Sequence, residues 1–370
     1  MAFIFLRLLQ PFMSIQNDKI YINARFLMQR LTGVQRFAIE ISKELRTRYG
    51  SRVVFIAPKG ILHHDVGREL DVVSIGQFSG YFWEQIELPF YLRRQNKPLL
   101  LNLCNMAPVC YSNKIVTIHD LAYEDMSGNF SWKFRTVYRL LMPKIVRSSK
   151  KVLTVSVFSK GRLRRRYPYL DEQQIEIIPN GAKKWPPKEQ KLPSDQPFIL
   201  SVASSSMRKN LDLLILAFNK FNQINHGAYK LFLVGDKDRV FEKQRALEFS
   251  SDIISLGRVS DQELNNLYSS SSAFLNLSLY EGFGLPILEA LSHHTPVVCS
   301  DIEVHKEIFE GAVFFVNPHD ADAIANSLSM AVNDQSTKRR QRVNELLQNF
   351  TWERSALKIE EVIKNIQQFE

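Results

Sequence analysis

Residues 278–296 read SLYEGFGLPILEALSHHTP. The apolar run Ala273–Leu279 has the length of a buried strand, and Glu281, the triplet Gly282-Phe283-Gly284 and Pro286 then break it. Proline suits the first position of a helix, where its missing N–H is not needed, and glycines let the backbone approach a ligand closely. The stretch therefore reads as strand, tight turn and helix start. A helix N-terminus presents unpaired N–H groups and a partial positive charge, which suits a diphosphate. Glu289 falls one turn inside the helix, so two carboxylates flank the place where open α/β sheets bind ligands. Carboxylates accept hydrogen bonds, and sugar hydroxyls donate them. An ordinary βα turn with an acidic residue would have the same letters, and local physics alone does not separate the two readings.

Working outward, short apolar runs recur at Lys19–Ala24, Arg52–Pro58, Asp71–Ile75, Pro98–Leu103, Lys114–His119, Val152–Ser156 and Ile175–Pro179. They resume at Phe198–Val202, Lys230–Val234, Ile253–Leu256, Val297–Ser300 and Ala312–Val316. Helical repeats lie between several of them, such as Val34, Phe37, Ala38, Ile41 and Leu45. Strands alternating with helices predict an α/β fold with parallel sheets. The segment Gly181–Pro197 (GAKKWPPKEQKLPSDQP) has four prolines and no hydrophobic period, and reads as a hinge. Beyond it, Asn210 stands where a helix N-cap is expected, before Leu211, Leu214, Ile215 and Phe218. The expected division is an N-terminal domain over 1–190, a C-terminal domain over 191–350, and a last helix within 351–370.

The chain has 370 residues, 45% hydrophobic, 23% charged and 11% aromatic, which excludes a disordered chain, a collagen-like fibre and a disulfide-rich mini-protein. No apolar run of about 18 residues predicts a membrane span. Met1–Met13 contains Arg7 and Pro11 and reads poorly as a secretory signal. Three cysteines without metal-type pairing suit a reducing cytoplasm. The net charge of +10 is uneven: residues 1–190 carry 30 Lys+Arg against 15 Asp+Glu, and the remainder 18 against 23. Such asymmetry suggests a polyanionic partner, although a soluble basic surface would look the same. Ser131–Lys150 (SWKFRTVYRLLMPKIVRSSK) and Arg162–Arg166 (RLRRR) carry much of the excess. The plain reading is a helix packed on the core with solvated cations; the rival is docking on an anionic membrane surface. No nucleic-acid fold signature accompanies the charge.

Glu281 and Glu289, with seven residues between them in EGFGLPILE, resemble the E-x7-E motif of retaining glycosyltransferases of the GT-B fold, family 4. The resemblance extends, in order, through GVQRFAIEI (Gly33–Ile41), WEQIELP (Trp83–Pro89), IHDLAYED (Ile118–Asp125), TVSVFSKGRL (Thr154–Leu163), IPNGA (Ile178–Ala182), SMRKNLDLL (Ser206–Leu214) and LGRVSDQEL (Leu256–Leu264). It implies two Rossmann-like domains facing across a cleft, with the acceptor on the first and the nucleotide-sugar donor on the second. The last helix should cross back to the first domain.

Carried over by position, Glu289 should hold the ribose hydroxyls and Glu281 the donor sugar. The amides of Gly282, Phe283, Gly284 and Leu285 should lie near sugar and phosphates, with Arg208 and Lys209 at the diphosphate. Arg258 and Val259 should lie along the nucleobase, Gly33 should approach the diphosphate, and His119 should sit near the reacting sugar. Many relatives have Gly-Arg where this chain has Ala203-Ser204, which leaves the phosphate contacts open.

The resemblance implies a hexosyl transfer with retention, mannose from GDP-mannose being the preferred donor. The acceptor would be a saccharide or lipid-linked oligosaccharide of surface polysaccharide, including lipopolysaccharide. The enzyme is expected to be cytoplasmic, with peripheral docking on the inner membrane face, and to need no metal or other cofactor. Asp236-Lys237-Asp238 is read as a solvated turn, and His63-His64 and His293-His294 lack ligand spacing. Two alternatives remain: a GT-B sugar-nucleotide epimerase, and a non-catalytic nucleotide-sugar or polyanion-binding protein.

Overall fold

The structure, a computed structural model, describes residues 19–126, 128, 130–183, 185, 195–202, 207–235 and 251–368. Met1–Met13, Ala203-Ser204, Asp236–Asp238 and most of the proline-rich segment 181–197 lie outside the described residues.

All thirteen apolar runs are strands. The first seven are β1 (Ile20–Asn23), β2 (Val53–Ala57), β3 (Val73–Ser74), β4 (Leu99–Asn102), β5 (Lys114–Thr117), β6 (Lys151–Thr154) and β7 (Ile175–Ile177). They form a sheet in the order β3-β2-β1-β4-β5-β6-β7. The other six are β8 (Phe198–Val202), β9 (Lys230–Val234), β10 (Ile253–Gly257), β11 (Ala273–Asn276), β12 (Val297–Ser300) and β13 (Phe314–Val316). Their order is β10-β9-β8-β11-β12-β13. The pairs β1–β2, β1–β4, β2–β3 and β4–β5 are parallel, as are all five pairs of the second sheet. Every residue of β1, β4, β11 and β12 is buried, as strands covered by helices on both faces require.

The chain resolves into two compact units, residues 1–117 with 144–152, and residues 118–143 with 153–370. In the second, the helix Leu211–Ile224 turns Leu211, Leu214, Ile215, Phe218 and Phe221 into the core against Ile199, Leu231 and Leu275. Asn210 precedes that helix but does not cap it with its side chain. It sits in the left-handed region (φ 52°), and its amide donates to the Pro318 carbonyl at 2.7 Å. The last helix is Trp352–Gln368, and its start is stitched to residues 179–182: Ala182 N–H donates to Phe350 O (2.8 Å) and Ser355 Oγ to Pro179 O (2.6 Å).

Four cations of the basic stretches have acidic partners within the second unit. Arg162 pairs with Asp125, Arg166 and Arg139 with Glu124 (both 3.4 Å), and Arg164 with Glu172 (3.1 Å).

Candidate active site

The order of the second sheet reverses between β8 and β11, which makes a crevice at their carboxyl ends. The segment after β8 contributes a short 3-10 turn, Met207–Lys209, and the segment after β11 contributes Leu279–Gly284. They are tied by the Leu279 N–H, which donates to Arg208 O at 2.8 Å. The tie brings Lys209 Nζ to 2.5 Å from a Glu281 carboxylate oxygen, with both side chains only 11% exposed. Arg208 lies 3.6 Å from Asp120.

Burial alone would raise the Glu281 carboxyl. The Lys209 ammonium and the Arg208 guanidinium overcome that and hold it at about 2, so the group is a carboxylate throughout the physiological range. Arg208 is raised in return, chiefly by Glu281. A cavity of about 400 Å³ opens beside Glu281, lined also by Tyr280, Asp301, Glu303, Asn317 and His319. That is within the usual size of small-ligand sites, about 300–1,000 Å³.

Gly282 is required by its surroundings. A Cβ there would stand 2.5 Å from His119 O, so only glycine lets this turn approach residues 119–120. The Gly282 carbonyl accepts from Ser156 Oγ at 2.7 Å and from Ser159 Oγ at 3.4 Å, and Ser159 also reaches His119 O at 3.1 Å. The structure thus brings His119, Glu281, Arg208 and Lys209 to one neighbourhood.

Gly284 has φ 102° and starts the helix Leu285–Ser292, with Pro286 in its first turn as the sequence suggested. Phe283 is buried edge-on against Phe309 and Phe350, so its backbone rather than its ring can serve a ligand. Leu285 is buried as well. Glu289 is buried on this helix and accepts from the Tyr268 hydroxyl at 3.1 Å. Arg258 and Val259 follow β10, the former exposed and the latter half-buried. Gly33 begins the helix Gly33–Tyr49 in the other unit.

Three residues went unassigned in the sequence: Ser156, Ser159 and His305. The serines stand inside the motif TVSVFSKGRL, whose order is a signal; for His305 no spacing pointed to it. His305 is fully buried, its Nδ1 3.0 Å from Ser300 O, while Nε2 has no hydrogen-bond partner among the described residues. Its ring lies 3.3 Å from where a Cβ on Gly284 would stand, and burial lowers it to about 4 despite the favourable Glu281 charge.

The family profile described as "Glycosyl transferases group 1" matches residues 184–349, and that of "Glycosyltransferase Family 4" matches residues 31–183. The chain belongs to this glycosyltransferase family. Among relatives, the O-antigen chain mannosyltransferase RfbU of Salmonella typhimurium is 30% identical over 243 residues, 65% of either chain. The O-antigen chain mannosyltransferase B of Escherichia coli is 31% identical over 221 residues, 56% of this chain and 58% of its own. The match thus spans less than two thirds of either relative's length. A glycosyltransferase from Rickettsia africae superposes with a TM-score of 0.71 at 22% identity, covering 95% of this chain and 98% of that one. Anabaena HepE in complex with UDP-glucose gives 0.73 at 16%, covering 94% and 99%. The chain therefore has the GT-B fold. Among its described residues, no helix is long and apolar enough to cross a membrane.

Proposed function

We propose that the chain is a retaining hexosyltransferase that moves mannose from GDP-mannose to a saccharide carried on a lipid, in the assembly of a surface polysaccharide. The observation that carries this reading is the Lys209–Glu281 pair, with Arg208 beside it, at the crevice where the second sheet reverses. The names of the relatives, O-antigen chain mannosyltransferases, support the choice of sugar.

In this reading the bond between the anomeric carbon and the phosphate oxygen breaks while the acceptor oxygen bonds to that carbon on the same face. The acceptor's proton passes to an oxygen of the departing diphosphate. Arg208, Lys209 and the amides at Gly284 and Leu285 stabilise the charge developing on that diphosphate, a role worth about 10²–10³ in rate per donor. Glu281, held ionised, accepts from donor-sugar hydroxyls in the adjoining cavity, and Glu289 accepts from the ribose. His119 borders the reacting sugar. With that much fixed positive charge, turnover needs no divalent metal.

The test is a thermal-shift panel of GDP, UDP and ADP with their sugar conjugates, followed by product analysis. GDP-mannose should raise the melting temperature most, and a new α-mannosidic bond should form in the presence of a chelator. Glu289→Ala should weaken GDP binding about tenfold without unfolding the protein. An isomerised nucleotide sugar with no new glycosidic bond would make the protein an epimerase; binding without turnover would make it a binding protein.

A further inference from the structure

Between β3 and β4, three helical segments run on without a break: Gly80–Phe82, the π-turn Trp83–Glu87 and Leu88–Arg94. One side is core: Trp83, Leu88 and Leu92 pack against Tyr21, Ile56, Leu100 and Tyr111. The opposite side should be polar, as on an ordinary surface helix, and is not. Phe82, Ile86 and Phe90 are 53%, 51% and 54% exposed, and Phe78, just before the helix, is 54% exposed with its ring centroid 4.7 Å from that of Phe82. Four-residue steps overshoot a full turn in an α-helix, and the wider π-turn, closed by the Leu88 N–H donating to Trp83 O, undershoots it. The two offset, which keeps the apolar residues in one stripe.

Within residues 77–97 the exposed charged side chains have one sign. Glu84 is buried against Arg25 (3.1 Å) and Asn23 (2.8 Å), and Glu87 turns back to accept from the Gln77 and Phe78 amides at 2.8 and 3.0 Å. Those are the only acids between residues 77 and 97. Arg93, Arg94 and Lys97 are exposed at the far end, Arg94 lying 4.3 Å above the Phe90 ring.

We propose that this face docks on the anionic surface of a lipid bilayer, the aromatic stripe entering the headgroup boundary while Arg93, Arg94 and Lys97 meet lipid phosphates. Charge complementarity selects that occupant. A second copy of the face would offer apolar surface but no acid for the three cations, whereas an anionic leaflet offers both. The docking assignment rests on the lipid-linked acceptor proposed above for its purpose. Its test reads binding rather than transfer, so the two can fail separately.

The experiment is flotation of the full chain with phosphatidylcholine vesicles containing about a third phosphatidylglycerol, at low salt. The unmodified protein should float, and Phe82→Ser, Ile86→Ser and Phe90→Ser together should weaken binding about a hundredfold, since each removes a large apolar side chain. Because the three are exposed, melting temperature and GDP binding should be unchanged. Arg93→Gln, Arg94→Gln and Lys97→Gln together should remove the preference for phosphatidylglycerol over phosphatidylcholine. The proposal is overturned if the unmodified protein stays unbound, or if the triple serine variant floats as well as the parent. It is equally overturned if neutralising Arg162, Arg164, Arg165 and Arg166, or starting the chain at Met13, abolishes flotation while the serine variant retains it. Dimerisation without vesicles that the serine variant abolishes would assign the face to a second copy instead.

Discussion

The two sheets reverse strand order in the same way, β1 beside β4 in the first and β8 beside β11 in the second, yet their carboxyl-end crevices are filled oppositely. At the first, Asn23 donates to Glu84 (2.8 Å) and to Asn102 (3.1 Å), Asn102 donates to Ile115 O (3.2 Å), and Arg25 pairs with Glu84. Glu84 is 1% exposed, and its charge is spent holding strands and helix together. At the second, Glu281 has a comparable cationic partner but also borders an open cavity. Topology supplies a crevice in both places; the opening decides whether an ion pair is cement or a binding group.

The largest effect that would sharpen this contrast is on stability. Glu84→Ala leaves Arg25 buried without its counter-charge, and breaking such a pair costs about 3–5 kcal/mol. Urea unfolding should show that loss. A midpoint within about 0.5 kcal/mol of the parent would mean the first crevice is no more welded than the second, and would break the comparison.

At the second crevice the same kind of change should cost activity first. Glu281→Gln keeps the shape and an acceptor for Lys209 but removes the charge facing the cavity. Turnover should fall about 10²–10³-fold, equivalent to about 2.7–4 kcal/mol, while unfolding stability falls less than in Glu84→Ala because Lys209 can turn toward the cavity. Steady-state kinetics on both variants makes the test. A Glu84 variant that keeps its fold should keep much of its kcat, and a Glu281 variant with unaltered kcat would strip that residue of its role.

The strands were legible because a buried parallel strand is a short apolar run bounded by polar turns, and all thirteen runs became strands. Residues 278–289 were legible as local structure too, since Pro286 and Gly284 can hardly do anything else. What the letters could not give was contact over long separations. Ser156 and Ser159 meet Gly282 across more than 120 positions, and His305 comes within electrostatic reach of Glu281 because β12 and β11 are neighbours. The basic runs hide contacts of the same kind. Arg162 and Arg166 look like free charge in sequence, and their acids, Asp125 and Glu124, lie about forty residues earlier. The docking face was hidden for the opposite reason: Phe82, Ile86 and Phe90 look like core until the fold shows which side of the helix Trp83 and Leu88 have already claimed.

The remaining expected effect appears only in acid, and it is a pH signature of the second crevice. His305 is held near 4 in the folded protein against an ordinary 6.5. As pH falls below 6.5 the unfolded chain therefore takes up its proton first, and stability declines until the folded histidine titrates near 4. Glu281 is held near 2 against an ordinary 4.5. Its contribution is complete above 4.5 and is lost as pH falls toward 2, because the unfolded carboxylate protonates while the folded one resists. The second crevice should thus lose stability in two adjoining windows. His305→Gln should flatten the upper one, between 6.5 and 4, and Glu281→Gln the lower one, between 4.5 and 2. Other carboxylates titrate in the same acid range, so the quantity to measure is the difference between each variant and the parent in urea midpoint from pH 7 to 3. If the His305→Gln difference is flat across 6.5 to 4, the buried imidazole is not held neutral by its surroundings, and the packing of His305 against Gly284 is looser than its burial indicates.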